Sequence, residues 1–223
     1  MTKNLFFQAI FKFLLGVAIT GLLLFLPAGT LHFWKAWLLM GILFLPMFIA
    51  GTVMMLKNPE LLEKRLQAKE QQAEQVLVVR LSGLMFLLGF AAAGFSFRFG
   101  WFLLPDQVSW AGTALFLLSY LLYAEVLREN TYLSRTIQVQ TGQKVVDTRL
   151  YGIVRHPMYA ATIVLFCSMP LVLGSAVSLV IFLTYPMIIA KRIKNEEAVL
   201  EQELEGYTAY KQKVLYRVIP FIW

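Results

Sequence analysis

Long apolar runs separated by charged blocks decide what this chain can fold into. They lie near 9–27, 33–56, 81–97 and 108–126, followed by a double-length run over 158–190. A hydrocarbon core about 30 Å thick is crossed by about 20 helical residues, and inside it a lone apolar segment satisfies its backbone groups only as a helix. Hydrophobic residues make up 59% of the chain, charged residues 15%, and mean hydropathy is +0.67. These values lie outside the range of soluble domains. The expected fold is therefore all-α: one polytopic membrane domain over 1–223, with four transmembrane helices in 1–127 and two further helical arms behind them.

The formal charge of +7 is distributed by loop rather than by patch. Segment 1–7 holds one Lys or Arg, 57–78 four, 128–156 five and 191–223 six, whereas 28–32, 100–107 and 171–176 hold none. Under the positive-inside rule both termini and the two long loops face the cytoplasm. No module that interleaves basic and aromatic residues is visible, so nucleic acid is not an expected partner. Lys3 and Lys12 ahead of GVAITGLLLFLPA give the N-terminus some look of a signal peptide, but the further spans favour a retained first helix. The single cysteine, Cys167, lies within an apolar run and reads as a small packing residue, so no internal disulfide framework is expected.

Two termini on one side require an even number of crossings. The run 158–190 thus reads as a helical hairpin with its turn at Pro170, Gly174 and Ser175 and a kink at Pro186, and a single strongly tilted helix is the competing reading. NPELLEKRLQAKEQQAEQV, with Leu61, Leu62 and Leu66 at helical spacing, reads as an amphipathic helix on the cytoplasmic face. IQVQTGQKVV alternates and breaks at Thr141-Gly142, which suits an extended excursion or turn. Beyond 190, Ile193, Ala198, Leu200 and Leu204 form a partial apolar face, and Gly206 is a helix stop.

Two constellations carry chemistry. In RHPMY, Pro157 suits the first position of a helix. Arg155 and His156 then stand beside free N–H groups that can take an anion. The plainer reading makes Arg155 a lipid anchor and Tyr159 part of the aromatic belt. In KRIKNEE, Arg192 and Glu196 are four residues apart and share a helix face. As a solvated pair they would contribute only about 0.2–0.5 kcal/mol, but ionisable groups near membrane depth are costly unless paired or functional. The two histidines, His32 and His156, fall on opposite expected faces, so no metal site is expected. The scattered glycines provide no phosphate-binding loop.

RLYGIVRHPMYAA, the hairpin and RIKNEEAVLEQELEGYTAYKQKVLYRVIPFIW together resemble the isoprenylcysteine carboxyl methyltransferases and their bacterial relatives, which share this region with phospholipid N-methyltransferases. The resemblance covers roughly 138–223 and rests on RHPxY, R-x-x-x-E-E, G-Y-x-x-Y and R-x-I-P in that order. It implies a cytoplasmic pocket for S-adenosylmethionine lined by Arg155, His156, Pro157, Met158 and Tyr159, with Lys144, Val145, Val146 and Tyr151 as its upstream wall. Gln140 is the implied upstream glutamine, with Gln138 nearly as good a fit, and Glu197 is a further implied cofactor contact. Arg192 resembles the arginine that engages the carboxylate of the methyl acceptor, and Glu196 the active-site glutamate. Where the family carries a glycine after RHPxY, this chain has Ala160 and Ala161.

The cofactor's chemistry is consistent with that placement. Its carboxylate suits a helix N-terminus with basic neighbours, and its sulfonium suits carboxylate or aromatic surroundings. The resemblance further implies a lipophilic acceptor drawn from the bilayer, and the compact size of the chain points to an integral protein of a bacterial inner membrane. Competing readings are a phospholipid N-methyltransferase, an NADPH-dependent membrane reductase of related architecture, and a small transporter or lipid-binding scaffold. The last is disfavoured because charges avoid the middles of the first four spans.

Overall fold

A computed structural model of the chain describes residues 3–66, 73–130, 132–133 and 139–223. Their helices are α1 (Lys3–Ala28), α2 (Trp34–Lys57), α3 (Pro59–Leu66), α4 (Ala73–Phe99), α5 (Asp106–Glu129), α6 (Pro157–Leu173), α7 (Ala176–Phe182), α8 (Tyr185–Glu203) and α9 (Tyr207–Lys213), with a 3-10 turn at Arg149–Gly152 before α6. Five segments are long and apolar enough to cross a membrane: Asn4–Ala28, Trp34–Lys57, Gln75–Phe99, Asp106–Glu129 and Ala176–Glu203. The fold is that of an all-α polytopic membrane protein. Exposed Leu26, Leu121 and Met187 carry apolar side chains outward, as a lipid solvent requires.

The run 158–190 is a hairpin. Pro157 opens α6, where its missing N–H leaves no bond unmade, and Gly174 closes it at φ +69°. The left-handed φ is what calls for glycine there; a Cβ would also lie 2.5 Å from Lys35 Nζ, the movable end of a long side chain. Ser175 then caps α7 by accepting a hydrogen bond from the Ser178 amide at 3.1 Å. The second arm does bend, but as a break rather than a kink. Leu183 and Thr184 separate α7 from α8, and Pro186 falls in the first turn of α8, where proline is tolerated. The first arm, at 17 residues, spans about 25 Å and is a few ångströms short of a full crossing.

The charge-poor connections meet at one end of the bundle. The Leu104 amide donates to Gly174 O at 2.8 Å, the Ala176 amide to Phe102 O at 3.1 Å, and Lys35 pairs with Asp106 at 2.8 Å. At the opposite end, Arg65 on α3 reaches the Tyr123 hydroxyl on α5 at 2.7 Å, and Leu62 is buried. The amphipathic helix expected after α2 thus folds against the helix ends over Pro59–Leu66, while residues 67–72 lie outside the described residues. The loop expected to be extended is non-helical from 139 to 148, with a turn at Thr141-Gly142.

The most extensive helix pairing is α5 with α6, and it depends on Gly112. A Cβ there would stand 2.7 Å from Leu171 Cβ and 2.8 Å from the backbone nitrogen of Val172, which cannot step aside. Close approach of α6 is therefore provided by a small residue on its partner helix, while Ala161, near the position where the family has glycine, is simply buried. Gly112→Val is expected to lower stability by about 1–3 kcal/mol through overpacking. This would be read as a reduced Tm in detergent; an unchanged Tm would show that the two helices can separate freely.

Candidate active site

At the end that carries the long connections, a cleft opens between the C-terminal end of α5, the 139–148 loop, the start of α6, the second half of α8, and α9. It is an open cleft rather than a closed cavity, with about 830 Å³ of empty space when the open solvent at its mouth is included. Lys144, Val145, Val146 and Tyr151 form one wall, Arg155, His156, Met158 and Tyr159 the floor, and Arg192 and Glu196 the far side. Two stretches of chain more than thirty residues apart therefore border one space.

Tyr159 joins them. Its hydroxyl donates to Glu196 Oε2 at 2.5 Å and accepts from Arg192 Nε at 2.9 Å. The arginine and glutamate that share a face of α8 are thus linked through a residue of α6, which fixes the direction of the guanidinium. Its Nη1 also donates to Gln75 Oε1 on α4 at 3.1 Å.

Beneath the floor lies Glu197, only 3% exposed. Its Oε1 accepts from Arg155 Nε at 2.7 Å and lies 3.2 Å from His156 Nε2, while Oε2 accepts from Arg217 Nε at 2.8 Å. Arg155 Nη1 donates further to the carbonyls of Val214 and Leu215, and the amides of Arg155 and His156 donate to Tyr216 O and Arg217 O. One carboxylate therefore ties the RHPMY turn, α8 and the C-terminal segment into a single unit. Helical spacing explains the division of labour: adjacent glutamates point about 100° apart, so Glu196 faces the cleft and Glu197 faces away from it.

Three expected cofactor contacts stand back from the cleft. Glu197 is occupied as described, and Pro157 is buried within the first turn of α6. Gln140 spends its side-chain amide on Tyr132 O at 2.6 Å, while its backbone N–H donates to Gln143 Oε1. The turn at Thr141-Gly142 brings Gln143 to the wall instead. Gln138 lies outside the described residues. The anion site expected at the start of α6 is also reduced: Pro157 has no N–H, the His156 amide serves Arg217 O, and those of Tyr159 and Ala160 turn back to His156 O.

Other lining residues had not been placed by sequence reasoning: Asn130, Tyr132 and Leu133 after α5, and Leu200, Leu204, Tyr207 and Tyr210. The last two are the tyrosines of G-Y-x-x-Y, so a signal was present without a location. Tyr210 donates to Tyr151 O at 2.7 Å and Asn130 donates to the Tyr151 hydroxyl at 2.9 Å, which pins α9 and α5 to the 3-10 turn. Burial pushes the Tyr151, Tyr207 and Tyr210 phenols above their ordinary range, so all three remain neutral. Lys213 holds the Asp147 carboxyl below its usual range by a 2.8 Å hydrogen bond, fastening the loop to α9 at the surface.

Residues 110–202 match the isoprenylcysteine carboxyl methyltransferase (ICMT) family. The matched stretch begins within α5 and ends in α8, a little under half of the chain. It begins earlier than the resemblance over 138–223 and takes in most of the fourth span, while G-Y-x-x-Y and R-x-I-P fall beyond it. No curated protein matches the chain. Together with five helices able to cross a membrane, the ICMT match supports a membrane methyltransferase.

The cleft's own chemistry suits the methyl donor such an enzyme uses. The Tyr207 hydroxyl is buried on the cleft wall with no hydrogen-bond partner among the described residues, and a polar ligand would supply one. Tyrosine faces and the Glu196 carboxylate suit a sulfonium, Val145, Val146, Leu200 and Leu204 offer apolar walls, and exposed Lys144 has no ion-pair partner among the described residues.

Proposed function

We propose that this protein transfers a methyl group from S-adenosylmethionine to the carboxylate of a lipophilic acceptor, at the cytoplasmic face of a bacterial inner membrane. The observation that carries this reading is the Arg192–Tyr159–Glu196 bridge on the border of the cleft. A planar carboxylate is the group a guanidinium fork recognises best, and the bridge holds that fork in place before any acceptor arrives. The ICMT match over these residues supports the same assignment.

When bound, S-adenosylmethionine supplies an electrophilic methyl on a positively charged sulfur. Tyr207, Lys144 and the apolar walls would bind and orient it, with Arg155, His156, Met158 and Tyr159 forming the floor beneath. Arg192 would hold the acceptor carboxylate in line with the methyl. Because the acceptor is already an anion, no proton needs to be removed, and rate would come from alignment and exclusion of water. The cytoplasmic assignment rests on the long, Lys- and Arg-rich connections lying at the cleft's end of the bundle.

Membranes containing the protein, incubated with methyl-labelled S-adenosylmethionine, are expected to place label in a base-labile, lipid-extractable ester. Label in a base-stable phospholipid headgroup would move the acceptor from carboxylate to amine. In the purified protein, S-adenosylhomocysteine is expected to raise the Tm while NADPH does not. Stabilisation by NADPH alone would replace the methyl-transfer reading with a reductase.

A further inference from the structure

Gln75 stands at the cleft's end of α4, far from the ICMT-matched residues in sequence, yet its side chain is wholly buried and touches Arg192. Its Oε1 accepts from Arg192 Nη1 at 3.1 Å. That contact settles which way the amide points, because the opposite orientation would set the N–H donors of Gln75 against those of the guanidinium. The Nε2 group is therefore directed elsewhere, and it is buried with no hydrogen-bond partner among the described residues. A donor left unmade next to hydrocarbon is costly, and such an orphan calls for an explanation.

We propose that Gln75 Nε2 is a second hydrogen-bond donor to the acceptor carboxylate held by Arg192, which makes Gln75 a positioning and specificity residue of the acceptor site. The inference rests on the reading of the acceptor as a carboxylate. Arg192, which lines the cleft, and Gln75, which stands behind it on another helix, would together present an edge of donors to the acceptor. The amide oxygen steadies the guanidinium and the amide nitrogen extends the recognition surface beyond it. A carboxylate oxygen can accept from both; a neutral carboxamide, with one oxygen and an NH2 of its own, sets a donor against this edge. Selection between acid and amide would thus depend on Gln75 as well as on the charge of Arg192.

The test uses the full-length protein and two probe pairs: a fifteen-carbon isoprenoid thioether of a short carboxylic acid and its primary amide, and a long-chain fatty acid and its primary amide. Wild-type methyl transfer is expected to be inhibited more strongly by the acid of at least one pair than by its amide. In Gln75→Leu, close in volume and without a donor, inhibition by that acid is expected to weaken about tenfold, the range of one hydrogen bond to a charged group. Inhibition by the amide should change less than about twofold, since that probe gains little from the orphan donor. Stabilisation by S-adenosylhomocysteine should stay as in wild type, which also verifies that the variant folds. Because Gln75→Leu also removes the oxygen that steadies Arg192, Gln75→Glu, which keeps an acceptor for Arg192 and lacks the donor, is read beside it, with the same weakening expected. Inhibition by the acid retained in Gln75→Glu, loss of acid and amide alike in Gln75→Leu, or unchanged inhibition by the acid in Gln75→Leu overturns the Gln75 assignment while leaving the carboxylate reading standing. If wild type does not prefer the acid in either pair, the carboxylate reading fails and this inference falls with it.

Discussion

Glu197→Ala is expected to destabilise the protein by about 3–5 kcal/mol, the usual cost of removing one partner from a buried ion pair. Two facts about its surroundings set the scale. Arg155 is buried alongside it, so its guanidinium cannot turn to water when the carboxylate is lost. The same carboxylate also holds Arg217 and lies against His156, so three groups lose a partner at once. Part of the loss is offset because Arg155 keeps the carbonyls of Val214 and Leu215, and because Arg217 is partly open to solvent. Against a typical total of about 5–15 kcal/mol the remainder is severe. It should appear as a large fall in Tm in detergent, with release of the C-terminal segment as faster proteolysis beyond residue 204. Glu197→Gln, which keeps the shape and one acceptor oxygen, should fall between wild type and the Ala variant. A Glu197→Ala protein within about 1 kcal/mol of wild type would show that the segments are joined by other contacts.

Arg192→Lys is expected to lower kcat by about 10- to 100-fold, the range given by losing one or two hydrogen bonds to a charged acceptor. The arginine makes several directed contacts at once: Nε to Tyr159, Nη1 to Gln75 and, in the proposed complex, the fork to a carboxylate. An ammonium is a point donor on a flexible stem and cannot serve all of these in one plane. The cofactor would be held mainly by the loop, the start of α6 and α9, so stabilisation by S-adenosylhomocysteine should be nearly unchanged. A comparable loss of turnover and of cofactor stabilisation would remove Arg192 from the acceptor side of the cleft.

The apolar runs, the charge asymmetry between connections and the hairpin turn at Gly174 were legible in the sequence, because each depends on local physics: transfer of a segment into lipid, or a backbone conformation that suits glycine. Gly206, expected as a helix stop, instead stands at the N-cap of α9 at φ +84°, while α8 already ends at Glu203 with its C-cap at Leu204. RHPMY and KRIKNEE were legible as unusual chemistry in an apolar setting. Their return to one end of the bundle followed from the hairpin expected at Gly174; that they are joined through Tyr159 across a single cleft was decided by how α6 and α8 pack. Which glutamate faces the cleft was decided by tertiary contacts, since Glu196 and Glu197 are alike in type and adjacent in sequence. Only the positions of Tyr159 on one side and of Arg155 and Arg217 on the other separate them. Gln75 shows the same limit: beside Glu74 in a polar stretch it reads as one more solvated residue, and only the packing of α4 against α8 buries it beside Arg192. Solvent partitioning and turn geometry act within a segment and can be read from it. The partner of a buried polar group is set by which segments meet, and that is a property of the assembled bundle.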